Sequence, residues 1–273
     1  MEPRFEQFIR ERQYLSNVSP ATLEWYKHSF KWLRAETPTK EELQEAVMRM
    51  REKGLKATGC NSAIRAINAY LKWSGTPHRV LYLKEEQRVL PSLSLPDIKK
   101  LLSDRPELSN LYQRRLHLLI LVLLDTGCRI DEVLSLKAAD CDPDNLLFTV
   151  AGKGRKQRKI PFSFELRRHL SRFLVDLHSE QLIFATRRGR KLGRRNVLRD
   201  VKLLCRRLGV TPPERTLHAF RHTFAIHYLR RGGGVFHLQK VLGHSTLEMT
   251  RRYANLLTED LQAVHQKISL LAL

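Results

Sequence analysis

The sequence is short of several things, and each shortage removes a class of protein. Its four cysteines, Cys60, Cys128, Cys141 and Cys205, lie far apart and never as C-x-x-C. That spacing argues against a zinc ribbon or a disulfide framework and fits a reduced, cytoplasmic compartment. No run approaches the roughly 18 consecutive apolar residues of a membrane span. The opening MEPRFEQFIRERQYL mixes acids with bases and lacks the apolar stretch of a signal peptide. Neither a P-loop nor a carboxylate cluster able to hold Mg²⁺ is present, so no cofactor and no metal is expected. Acids are also scarce: Asp plus Glu number 28 against 49 Lys plus Arg, a formal charge of +21. Yet 42% of the 273 residues are hydrophobic, enough for a packed core and against intrinsic disorder. A folded chain this basic is built to meet a polyanion, nucleic acid first and an anionic membrane surface second.

The excess is concentrated. Residues 151–231 carry 22 bases and 5 acids, whereas residues 89–150 carry 7 bases and 9 acids. The densest run holds Arg187, Arg188, Arg190, Lys191, Arg194 and Arg195, with Arg199, Lys202, Arg206 and Arg207 soon after. A single run of this kind is often only a solvated face; the whole-chain excess favours a binding surface.

Periodicity predicts a mainly α protein. In residues 1–83 a first helix carries Phe5, Phe8 and Ile9, and a second starts at Ser19-Pro20 with Leu23, Tyr26, Phe30 and Leu33 at helical spacing. A third fits Thr39 to Lys53 and stops at Gly54, and a fourth fits Thr58 to Trp73. Residues 84–93, polar and without a period, read as a linker. A second domain, 94–273, opens at Leu95-Pro96-Asp97, runs through the apolar stretch Leu116 to Leu124, breaks at Thr126-Gly127 and restarts near Arg129. Leu146 to Phe162 is the one good strand candidate, a hairpin turning through Gly152 and Gly154. Helices return from Phe164, interrupted by Gly232-Gly233-Gly234, and Leu256 to Leu273 form an amphipathic end. No internal repeat is visible.

Four segments in the second domain carry residues suited to phosphate chemistry: T-G-C-R-I-D-E around Arg129, G-K-G-R-K-Q-R around Lys153, H-A-F-R-H with His218 and Arg221, and L-G-H-S with His244, followed by Tyr253. Each alone has a commoner explanation. An arginine after Thr-Gly is usually a surface residue at a helix start, and a Gly-Lys-Gly turn is usually just a turn. His218 and His222, four apart on a helix, could share a metal, but Ala219 replaces the glutamate of H-E-x-x-H and no third ligand is evident. Tyr253 alone would be a half-buried aromatic. Their occurrence together, in this order, carries the weight.

On these motifs the chain resembles the tyrosine recombinase (phage integrase) family, in particular its Xer-like and integron-integrase-like members. S-P-A-T-L-E-W-Y at 19–26 resembles the opening of that family's core-binding domain, and the likeness spans nearly the whole chain. It implies an N-terminal helical, SAM-like core-binding bundle and a C-terminal α-rich catalytic domain with a small antiparallel sheet. It implies Tyr253 as a nucleophile that forms a 3′-phosphotyrosyl link and frees a 5′-hydroxyl. Arg129 and Arg221 would grip the phosphate oxygens, whose geometry suits their planar forks. Lys153 would protonate the departing 5′-oxygen, His218 would assist proton transfer at the tyrosine, and His244 would hydrogen-bond the phosphate. Glu132 would support the site, with Asp131 the less favoured alternative. The physical logic agrees: a phenol with a pKa near 10 needs cations and a proton acceptor to react near pH 7.

The implied activity is site-specific cutting and rejoining of DNA without ATP or metal, for integration, excision, dimer resolution or cassette exchange. The implied assembly is a homotetramer on double-stranded recombination sites, with or without a partner recombinase, and with no membrane. Two alternatives stand beside it: a type IB topoisomerase-like enzyme and a non-catalytic DNA-binding accessory protein. For binding, both domains are expected to embrace the duplex. Arg155, Lys156 and Arg158 on the hairpin and Arg187 to Arg195 would touch the backbone. Lys56, Thr58, Asn61 and Arg65, at the start of the fourth helix, would approach the major groove. The C-terminal helix would dock on its own domain or on a neighbour's.

Overall fold

In a computed structural model, residues 3–85, 90–107, 109–152 and 157–254 are described. The chain divides into two compact units, 1–88 and 89–273.

The described residues of the first unit form four helices: α1 (Pro3–Tyr14), α2 (Pro20–Phe30), α3 (Lys40–Glu52) and α4 (Ala57–Trp73). Their starts follow from local chemistry. Ser19 accepts a hydrogen bond from the Thr22 amide ahead of Pro20, and Thr39 forms a reciprocal capping box with Glu42. The apolar stripes meet in an aromatic core of Phe5, Phe8, Tyr26, Phe30 and Tyr70, with Trp73 edge-on to Phe8. The helix α2 ends at Phe30, so Leu33 falls in the following turn and still packs against this core. Two asparagines one face apart on α4 clamp the extended segment that follows. Asn68 pairs with both backbone groups of Val80, and Asn61 with both of Leu83.

The second unit begins with α5 (Leu95–Ser103), capped by Ser94, and the buried α6 (Leu111–Thr126). A left-handed Gly127 ends α6, and the single-turn α7 (Ile130–Val133) follows at once. A three-stranded antiparallel sheet comes next: β1 (Cys141–Asp142), β2 (Leu147–Ala151) and β3 (Gln157–Pro161), in that order. Phe148 pairs with Ile160 and Val150 with Arg158, which turns Phe148, Val150 and Ile160 into the core. The two-residue β1 was too short to show in the hydrophobic pattern. After α8 (Phe164–Leu174) the chain does not return at once to helix. It runs through turns and an isolated bridge, Ala185 with Lys191, before α9 (Arg194–Arg207). The helices α10 (Thr216–Arg230), α11 (Val235–Leu242) and α12 (Glu248–Ala254) are the last described elements, and the expected amphipathic end, Leu256 to Leu273, lies outside the described residues. Among the described residues, no helix is long and apolar enough to cross a membrane. All four cysteines are buried and unbridged, and burial raises Cys128 and Cys205 to about 11 and Cys141 to about 12, so these thiols stay protonated.

Candidate active site

The site is organised around the C-terminal end of α11. The last carbonyls of a helix have no partner within it and carry its negative dipole end. Gly243 turns the chain there in the left-handed conformation, at φ 63°. Three arginines from three other elements converge on the exposed carbonyls. Arg158 on β3 donates from Nε to Val241 O at 3.1 Å. Arg221 on α10 donates to Leu242 O at 2.6 Å and to Gly127 O at 2.9 Å. Arg129, which caps α7, reaches Leu242 O and Gly243 O, each at 3.4 Å.

Glu132 ties two of the three, Arg129 and Arg158, together. Its carboxylate accepts both forks of Arg158, at 2.9 and 3.0 Å, and also bonds the Arg129 amide and guanidinium at 2.9 and 3.0 Å. Burial pushes this carboxyl up, but the arginines outweigh it and hold it below the usual range. The side chain therefore stays ionised and balances the cationic cluster. Asp131 points elsewhere, 3.8 Å from Arg194. Arg221 is 5% exposed. Burial takes it down to about 10, Arg129 adds to the fall, and Tyr253 and Glu132 oppose it. It remains charged at neutral pH. A guanidinium offers five donors, so those not spent on carbonyls remain for an anion. Two glycines permit this packing. A Cβ on Gly243 would lie 2.8 Å from Arg158, and one on Gly127 2.3 Å from Phe224.

Tyr253 on α12 is 2% exposed, within a small cluster of Ala225, Ile226, Leu229, Leu238 and Leu242. Its hydroxyl lies 2.9 Å from Nδ1 of His222, and its ring stacks at 6.3 Å on His244, whose Nδ1 meets the Thr250 hydroxyl at 2.8 Å. His218 sits one turn before His222 on α10. Its Nε2 is 3.1 Å from Arg194 Nη2. Burial, then Arg194 and Arg221, lower the His218 pKa, so it is neutral at pH 7.

Arg129, Arg221, Glu132, His244 and Tyr253 are thus gathered around one turn of chain, with His218 at its edge beside Arg194. Lys153, Arg155 and Lys156 lie outside the described residues. Arg187, Arg188, Arg190, Lys191, Arg194 and Arg195 are exposed in the second unit, and Lys56, Thr58 and Arg65 are exposed in the first.

Two expected contacts are corrected. Asn61 is 4% exposed and its amide is spent on Leu83 and Glu85, so it cannot read a groove. Arg158 turns inward to Glu132 and Val241 rather than outward to a phosphate, because β3 alternation puts it on the α11 side. The expectation for the tyrosine's proton shifts too: the hydroxyl meets His222, while His218 faces Arg194. A signal for His222 existed in its place next to Arg221 and one turn beyond His218. Among the described residues no group of three or more His, Cys, Asp or Glu is arranged for a metal.

A sequence profile described as the phage integrase family matches residues 93–260. The chain is 33% identical over 230 residues to the tyrosine recombinase XerA of Thermococcus kodakarensis, covering 81% of this chain and 79% of that protein. Its fold is similar to that of the Tn1549 transposon integrase in complex with transposon right end DNA, at TM-score 0.73 and 19% identity over 97% of this chain and 98% of the other. It is also similar to the XerH site-specific recombinase bound to a palindromic difH substrate, at TM-score 0.72 and 21% identity over 97% and 83%.

Proposed function

The chain belongs to the phage integrase family and is a tyrosine recombinase, a DNA strand-exchanging enzyme, and from that premise we propose how its own residues perform the reaction. Tyr253 attacks a phosphodiester, its oxygen bonding to phosphorus as the 5′-oxygen departs. Arg129 and Arg221 hold the non-bridging oxygens. Both are fixed before substrate arrives, Arg129 by Glu132 and the carbonyl of Leu242, Arg221 by the carbonyls of Leu242 and Gly127. Preorganised charge of this kind stabilises a transition state without reorganisation at the moment of reaction. His244, aligned by Thr250, hydrogen-bonds the phosphate, neutral His218 lies at the edge of the site beside Arg194, and Lys153 protonates the leaving oxygen. The phosphotyrosyl bond conserves the energy of the bond broken, so rejoining requires no ATP.

The observation that carries this reading is the convergence of two arginines, Glu132 and the Tyr253 segment on the single turn at Leu242-Gly243. Duplex DNA is the substrate we propose. Its backbone meets Arg187, Arg188, Arg190, Lys191, Arg194 and Arg195, and Lys56, Thr58 and Arg65 of the first unit approach it. We also propose residues 1–83 as the core-binding domain, 94–273 as the catalytic domain, a homotetramer on two sites, and a cytoplasmic setting. A topoisomerase-like or accessory role is less favoured, because the relatives are named as recombinases.

The test is covalent trapping. Wild type and Tyr253→Phe are mixed with nicked fragments from the gene's own genomic neighbourhood, without metal or ATP, then denatured. Wild type should retain DNA at one defined position and the variant none. An adduct that survives the substitution sinks the assignment, and supercoil relaxation at no preferred sequence favours the topoisomerase.

A further inference from the structure

Activating a phenol near neutral pH requires a group that can take its proton, and histidine is the side chain whose ordinary titration range suits both taking and returning one. Three histidines border the site, and their ring nitrogens have different positions. His218 Nε2 is turned to Arg194 at 3.1 Å. His244 Nδ1 is engaged with Thr250 at 2.8 Å, leaving its ring face to Tyr253. His222 Nδ1 lies 2.9 Å from the Tyr253 hydroxyl, with ring centroids 5.7 Å apart. The helix α10 fixes this placement. His222 follows Arg221, whose guanidinium is locked to the carbonyls of Gly127 and Leu242, so the stretch of α10 that carries His222 is held against the end of α6 and the end of α11.

We propose that His222 is a catalytic residue, the proton acceptor for the Tyr253 hydroxyl during cleavage and its proton donor during rejoining. The inference rests on Tyr253 being the nucleophile. In cleavage the tyrosine oxygen bonds to phosphorus while the bond from phosphorus to the 5′-oxygen breaks. The phenolic proton passes to Nδ1, and the departing 5′-oxygen takes a proton from Lys153. In rejoining the 5′-hydroxyl attacks phosphorus and returns its proton to Lys153. The tyrosine oxygen then leaves and recovers its proton from His222. No oxidant, metal or nucleotide enters the balance.

Two measurements test it. The first needs no target DNA. A long-range proton–nitrogen NMR spectrum of the chain should show His222 Nδ1 without a proton, and Tyr253→Phe should shift that nitrogen. A proton resident on Nδ1 overturns the proposal. The second is single-turnover adduct formation on a nicked duplex carrying the sequence at which wild type is trapped. One version carries an ordinary 5′-oxygen and one a 5′-bridging sulfur, which departs without protonation. His222→Asn is the informative variant, because its amide offers an acceptor near the Nδ1 position but cannot take a proton. It should slow adduct formation about 10²-fold or more on both substrates, whereas Lys153→Ala should recover on sulfur. His222→Asn reacting at the wild-type rate, or recovering fully on sulfur, overturns the proposal. A wild type that forms no Tyr253-dependent adduct instead fails the underlying assignment of the nucleophile, and the two failures are told apart by the Tyr253→Phe control.

Discussion

Two groups of arginine within the same basic stretch, residues 151–231, meet opposite surroundings. Arg187, Arg188, Arg190 and Arg195 stay in solvent, on or just after an irregular connection. Arg158 and Arg221 turn inward, one onto Glu132 and both onto the carbonyls that end α11. In a charge count each of these arginines is the same single positive charge. Physically they differ: an exposed guanidinium keeps its hydration and is available to a polyanion, while a buried one must recover its lost hydration from fixed partners. The inward pair therefore shapes the site, and the outward run is the one we propose for long-range attraction to DNA.

The largest expected effect comes from breaking the inward pair. Arg158→Ala leaves Glu132, whose side chain is 7% exposed, with Arg129 as its remaining partner. Removing one member of a buried pair costs about 3–5 kcal/mol, so thermal unfolding should shift down by many degrees. A variant as stable as wild type would show that Arg158 is not structural.

Next in size is the outward run. Arg187→Ala, Arg188→Ala and Arg190→Ala combined should leave the unfolding temperature unchanged and weaken DNA binding. Every phosphate that is no longer neutralised reduces the steepness of the log–log salt dependence by about 0.9. For the intact protein, neutralising 6–10 phosphates would mean about a 10³–10⁵-fold loss of affinity between 50 and 200 mM salt. An unchanged slope would place the phosphate-binding side chains elsewhere.

The sequence could not distinguish these arginines because one residue of strand register decides which way Arg158 points. The same limit applied to Asn61. A polar residue near a helix start reads alike whether it faces a groove or clamps a backbone segment 22 residues on. Caps were legible, since Ser19-Pro20 and Thr39 with Glu42 carry their partners within four residues. Gly127 and Gly243 were visible as breaks, but not as the close approaches to Phe224 and Arg158 that require them. The order Arg129, His218, Arg221, His244, Tyr253 was readable as a set. The nitrogen that meets the tyrosine was not, because His218 and His222 share a face of α10 and only the packing of α12 separates them.

A smaller effect separates histidines from carboxylates. Burial, the leading cause in each case, lowers His117, His169, His218 and His227 in the folded chain. The unfolded chain then binds protons first, so stability is full above about pH 6.5 and declines as the pH falls from there toward the folded values. Glu132, also lowered, adds a further loss below the usual carboxylate range, whereas Asp125, raised by burial, acts in the opposite sense. Chemical denaturation at pH 7.5 and 5.5 should show lower stability at the acidic value. Equal stability would mean that these histidines are not buried as described.

One tyrosine of the seven in the chain, Tyr253, is assigned to carry the DNA. That assignment is tested most directly by trapping the adduct, digesting DNA and protein, and sequencing the peptide that retains a nucleotide. We predict a single modified peptide, with the 3′-phosphate on Tyr253. A nucleotide on any other residue, or an unmodified Tyr253 in a protein that still cuts DNA, would contradict it.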